Sequence, residues 1–254
     1  GILLPALYTP IMIMVSALIF RGVAFEFRFK DENHQKIWDN AFSIGSTTAA
    51  LMQGIILGRF IEGYGTQIES FSHPYPCITP FSVLTGFTVV IGYALLGSTW
   101  LIMRTEGPLQ TKLFGMAKIL LTITAICLSL VCMGTLLTRL SIVERWLEYA
   151  YVLWLIPVLT AGLIGYAFHC LRKEYDILPF FLSLGIFILS YVGFGVSLFP
   201  YLIPYSLTIW QAAAPMSSLK FSLVGVGIVL PLLLGYTSYT YYVFRGKVTE
   251  NIHY

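Results

Sequence analysis

Charge is what this sequence has least of. Only 11% of its 254 residues are Asp, Glu, Lys or Arg, against about 25% in an ordinary soluble chain. With 57% hydrophobic residues and a mean hydropathy of +0.80, such a surface cannot face water on all sides. A soluble globular domain is thereby excluded. The net charge of +3 is small and its carriers are scattered between apolar runs, which excludes a nucleic-acid-binding face. Cysteine is scarce too: Cys77, Cys127, Cys132 and Cys170 make neither a Cys-x-x-Cys redox pair nor a haem-attachment Cys-x-x-Cys-His. Cys127 and Cys132 lie within an apolar run and read as small buried hydrophobes. No Gly-rich phosphate loop, metal-ligand spacing or nucleophile–base pair is present.

Histidine is almost absent from where it would matter most. A haem inside a helical bundle needs an axial His or Met facing inward at depth. His34 and His73 lie in connecting segments, His169 at the end of an apolar stretch and His253 in the tail. Met12, Met14, Met52 and Met133 lie within apolar stretches but have no opposing histidine, so they read as packing residues. The chain itself is therefore expected to bind no cofactor. Acidic and basic side chains inside apolar stretches usually mark proton relays or ion paths, and these too are nearly missing. Lys118 sits about a turn inside one stretch, within snorkelling reach of its end.

What the sequence does have is a series of long apolar runs. A helix crossing a hydrocarbon core of about 30 Å needs roughly 20 such residues. Segments near 2–20, 40–59, 81–103, 116–138, 149–171, 177–199 and 221–244 qualify, so the chain is read as a single all-α integral-membrane domain over residues 1–254 with about seven spans. Two charge-free stretches are too long for one helix, and each holds a proline-rich portion expected to stay outside the membrane: His73-Pro74-Tyr75-Pro76 with Pro80, and Phe199-Pro200 through Pro204. Residues 206–220, broken by Pro215, are expected to form a short interfacial or re-entrant stretch. Connections at alternate ends carry eleven basic residues (Arg21, Arg28, Lys30, Lys36, Arg104, Lys112, Lys118, Arg172, Lys173, Arg245, Lys247) against four (Arg59, Arg139, Arg145, Lys220). That bias places the richer end, and the carboxyl terminus, in the cytoplasm.

Two features are candidate sites. Ser46, Ala50, Gly54 and Gly58 recur every four residues and share one helical face, where small side chains let a second backbone approach closely. Charged residues at helix ends (Arg21, Glu26 and Arg28; Arg59 and Glu62; Arg104 and Glu106) fit interfacial anchors with local ion pairs, or contacts to a partner subunit or a proton-uptake route. On these residues alone two function classes stand: a non-catalytic subunit of a respiratory enzyme, or a multi-pass small-molecule transporter that reads polar rather than charged groups.

Longer motifs bear on that choice. Residues 20–28 read FRGVAFEFR, 92–107 GYALLGSTWLIMRTEG and 199–218 FPYLIPYSLTIWQAAAPMSS, and YYVFRGKV lies near the end. Together these resemble subunit II of the cytochrome bd-type quinol oxidases, the cyanide-insensitive type in particular. The resemblance implies two four-helix bundles plus a peripheral helix, in the bacterial cytoplasmic (inner) membrane. It implies a heterodimer with a homologously folded subunit I, joined in some complexes by a small third subunit, in contact with lipid and quinol and with no nucleic acid. Such a complex oxidises quinol at the outer face and reduces O2 to water with protons from the cytoplasm. Subunit I is expected to hold the haems, b-type and d-type or b-type only, and the main quinol site. Nine spans are usual in the family, the first two carrying acids linked to proton access. The present chain begins in what resembles the third, so an N-terminally incomplete fold is expected and those acids have no counterpart here.

Overall fold

The computed structural model describes residues 3–63, 78–138, 140–203 and 207–244. The chain is built of α-helices, seven of them long and apolar enough to cross a membrane: α1 (Leu3–Lys30), α2 (Gln35–Glu62), α3 (Pro80–Arg104), α4 (Pro108–Thr138), α7 (Leu155–Arg172), α8 (Leu178–Leu198) and α10 (Met216–Val243). The short helices α5 (Leu140–Glu148) and α6 (Ala150–Leu153) lie between α4 and α7. Between α8 and α10 come the strands β1 (Tyr201–Ile203) and β2 (Leu207–Thr208), paired antiparallel, and the four-residue α9 (Ile209–Ala212). This is an all-α polytopic membrane protein, since lipid leaves a backbone no partner but itself and a helix satisfies every N–H and C=O internally.

Chemistry at the helix ends explains their limits. Thr79 caps α3: its hydroxyl accepts from the Ser82 N–H while the Ser82 hydroxyl accepts from the Thr79 N–H, and Pro80 opens the helix where no N–H is required. Gly63 ends α2 at φ 75°, and Gly107 at φ 78° makes the tight turn into α4, both in the region that glycine enters without strain. A 3-10 turn, Glu32–His34, joins α1 to α2.

Several helices differ in extent from the limits set by charge. α1 runs on to Lys30 rather than ending near residue 20, α2 starts at Gln35 rather than 40 and α4 at Pro108 rather than 116. Charged residues mark where hydrocarbon ends, but a helix continues into the headgroup layer, where long polar side chains are at home. The fifth long helix starts at Leu155, not 149, because the apolar residues before it belong to α6 and a break at Trp154. The 206–220 stretch holds β2, α9 and already the first turn of α10 at Met216, with Pro215 just before it.

Consecutive long helices run antiparallel, so their ends gather at two poles. One pole carries Arg28, Lys30, Lys36, Arg104, Lys112, Arg172 and Lys173, and is called the basic pole below; the other holds Glu62, Leu153 and Leu198. Helices α3, α4, α7 and α8 share one core of Leu95, Ile102, Leu113, Phe114, Ala117, Leu121, Ala167, Leu171 and Ile186. The α1–α2 hairpin lies against α3, and α10 lies outside, making only scattered contacts with the rest. Several hydroxyls within the spans bond back to their own helix: Thr99 to the Leu95 carbonyl, Thr160 to Ile156, Ser183 to Pro179 and Ser190 to Ile186. These side chains thus bring little polarity to the helix surface.

Candidate functional site

Among the described residues, α2 and α3 approach each other closely along a seam of small residues. A Cβ on Gly54 would stand 2.6 Å from the Gly86 Cα and 2.7 Å from the Thr85 carbonyl oxygen. One on Gly58 would stand 2.1 Å from the Thr85 hydroxyl and 2.6 Å from the Ser82 Cα. No side chain fits, so glycine is what allows the two backbones to meet. Thr85 ties the seam, its hydroxyl donating to the Gly54 carbonyl at 2.9 Å in a fully buried position. Of the four small residues on this face, Gly54 and Gly58 lie in the seam and Ala50 is buried nearby. Ser46 is half-buried and bonds to the Phe42 carbonyl of its own helix. The face that meets α1 includes Gly45, whose Cβ would stand 2.9 Å from the Ala17 carbonyl. The α3 half of the seam, Ser82, Thr85 and Gly86, was missed in the sequence; its small residues at spacings of three and four were the available signal.

At one end of this seam sits a half-buried polar cluster. Arg59 donates to Glu62 at 2.9 Å, and the Thr79 hydroxyl donates to the same carboxylate oxygen at 2.7 Å. The Arg59 and Glu62 side chains are only 15% and 17% exposed, so solvent screens this pair little. Thr79 therefore both caps α3 and binds the last turn of α2.

Several charged residues at or near the basic pole find partners within the chain. Arg21 lies over the Phe42 ring at 5.2 Å, Arg28 pairs with Asp39, and Glu26 accepts from Lys30 at 2.8 Å. Arg104 lies over Trp100 at 4.7 Å and donates to the Phe244 carbonyl at 3.2 Å; Glu106 is exposed beside it. His34 hydrogen-bonds Asp31 at 3.0 Å, which, with a further bond from Trp38, holds that carboxyl below the ordinary carboxylate range.

The described histidines and two of the methionines lie at helix ends or on outer surfaces. His34 is exposed at the basic pole and engaged by Asp31, while His169 is exposed at the end of α7 and stacked on Tyr166. Met12 and Met133 are 45% and 60% exposed on outer helix surfaces. Among the described residues no three His, Cys, Asp or Glu side chains converge as metal ligands; His73, His253 and Cys77 lie outside those residues. A groove of about 210 Å³ runs between α2, α3 and α8, lined by Gln53, Ile56, Leu57, Phe60, Val89, Tyr191 and Phe194. Beside it Tyr93 donates to the Gln53 amide oxygen at 3.0 Å and stacks on Phe187. Its walls offer hydrocarbon and a few neutral polar groups.

Seven apolar helices, two of them joined through a small-residue seam, define a multi-pass membrane protein. Residues 1–244 match the family of the cytochrome bd terminal oxidase subunit II, and the chain belongs to that family. It is 24% identical to the cytochrome bd-I ubiquinol oxidase subunit 2 of Escherichia coli (strain K12), covering 96% of this chain and 74% of that protein. It is 28% identical to the cytochrome bd ubiquinol oxidase subunit 2 of Bacillus subtilis (strain 168), covering 98% and 75%. The probable cytochrome oxidase subunit 2 of Haemophilus influenzae is 23% identical over 96% of this chain and 75% of its own length. Family membership decides for the respiratory subunit over the transporter.

Proposed function

We propose that this chain is the haem-free, structural subunit of a bd-type terminal oxidase, paired with a subunit I that carries the haems and the main quinol site. The complex couples quinol oxidation to the four-electron reduction of O2 to water. The observation that carries this reading is the family match over residues 1–244. The chemistry of the chain agrees with it: its described histidines sit at one pole, and its most closely fitted residues, Gly54, Gly58, Thr85 and Gly86, hold helices together. In this reading the chain braces the complex, and its charged basic pole (Arg21, Glu26, Arg28, Arg104 and Glu106) faces the cytoplasm of a bacterium at the inner membrane. The basic-residue bias of the connections supports that orientation.

The test is to purify the complex through a tag on this chain and replace His34, His73, His169 and His253 together. The haem spectrum and quinol-driven oxygen uptake of the assembled complex should be retained. Loss of a haem signal from a complex that still assembles would overturn the haem-free assignment. A reporter fused after Tyr254 should read as cytoplasmic; a periplasmic reading would invert the orientation.

A further inference from the structure

Helix α10 presents a problem of attachment. It is 28 residues long, and none of its residues is buried. Gly225, Gly227 and Gly235, where another helix would be expected to press, have nothing within 4 Å of a built Cβ. Every other long helix packs against a neighbour along its length or contributes to the shared core.

At its last turn α10 makes two well-defined contacts with α3. Trp100 meets Tyr241 edge to face with centroids 5.8 Å apart, and its ring also meets Phe180 of α8 at 5.1 Å. Arg104, one turn further along α3, lies over the same indole at 4.7 Å and donates to the Phe244 carbonyl. Phe244 is the C-cap of α10, its own N–H bonded to the Thr240 carbonyl. The final carbonyls of a helix lack internal partners and carry the negative end of its dipole, so a guanidinium there satisfies both needs. The indole face attracts the same cation and holds it in place. Two segments about 140 residues apart in the chain, the end of GYALLGSTWLIMRTEG and the start of YYVFRGKV, thus meet at one point.

We infer that Trp100 and Arg104 form a socket for the C-terminal end of α10, and that this socket, rather than packing along the helix, sets where α10 stands in the subunit. Arg104 acts through the helix end and takes no part in chemistry. The inference concerns the fold of this chain and does not depend on the oxidase reading.

The test uses spin labels on Leu109→Cys, at the start of α4, and Tyr239→Cys, near the end of α10. The purified protein, with whatever subunits accompany it, is placed in lipid nanodiscs after its native cysteines are replaced. The parent should give a narrow distance distribution, and Arg104→Gln combined with Trp100→Ala should broaden it at least twofold. Should that pair fail to assemble, Arg104→Gln alone, which keeps the indole, is read in the same way and should broaden it by a smaller factor. An unchanged distribution in the variant that assembles would overturn the inference. Oxygen uptake measured on the same samples keeps a failure of the oxidase reading separate from a failure of the socket.

Discussion

Helices α2 and α10 have the same length, 28 residues, and opposite fates. Helix α10 is the more apolar of the two and none of its residues is buried, whereas α2 buries Gly45, Ala49, Ala50, Gly54, Ile55, Gly58 and Ile61. The more apolar helix is the one that packs less. In water this order would be reversed, because burial of apolar surface drives folding there. In lipid a leucine gains nothing by leaving the bilayer for a protein core, and close contact between backbones becomes the main attraction. Gly54 and Gly58 of α2 meet α3 and Gly45 meets α1, whereas Gly225, Gly227 and Gly235 of α10 have nothing of this chain within 4 Å of a built Cβ.

Substitutions can sharpen or break that contrast. The largest effect should come from Gly58→Leu, whose first carbon would already overlap Thr85 and Ser82. Overpacking of this sort costs about 1–3 kcal/mol, and a rigid neighbouring backbone places this site at the upper end. A clear fall in the thermal midpoint of the purified protein is expected. Gly227→Leu on α10 should shift the same midpoint far less, and the reverse order would break the comparison. Next is the cluster at the end of the seam. Glu62→Gln keeps the shape but removes the charge facing the half-buried Arg59, and should lower stability by about 1–3 kcal/mol. Thr79→Ala should cost about 1 kcal/mol through the lost cap, measurable in the same assay.

The smallest effect concerns pH at the basic pole. Asp31 has its carboxyl lowered from 3.8, chiefly by the hydrogen bond with His34. A depressed folded-state value means that its stabilisation is present above 3.8 and is lost as pH falls through the lowered value. The site is open to solvent, so only a slight extra loss of stability in strong acid is expected, and Asp31→Asn should remove it. A pH profile of thermal midpoints for the two proteins checks this.

The contrast also shows what the sequence could and could not disclose. Apolar runs sufficed to count the long helices, since each must satisfy its backbone alone, and a run of about 20 residues has few other uses. Helix ends were less legible: nothing in the alternation of charge says that α1 continues through Phe25, Phe27 and Phe29 to Lys30. The small-residue face of α2 was visible because a small residue at every fourth position, Ser46, Ala50, Gly54 and Gly58, is a local pattern. Its neighbour was not, because adjacency between helices is not a property of either sequence. Thr85 and Gly86 became meaningful only beside Gly54. Similarly, Arg104 was visible as a charge near a helix end, but its engagement with Phe244 joins residues 140 positions apart and leaves no local trace.

The contact between Glu62 and Thr79 closes a stem: the chain leaves α2 and enters α3 at points joined by a 2.7 Å hydrogen bond. The ends of α2 and α3 are thereby held to each other directly by their own side chains, so the spacing of these two helix ends is set by this contact.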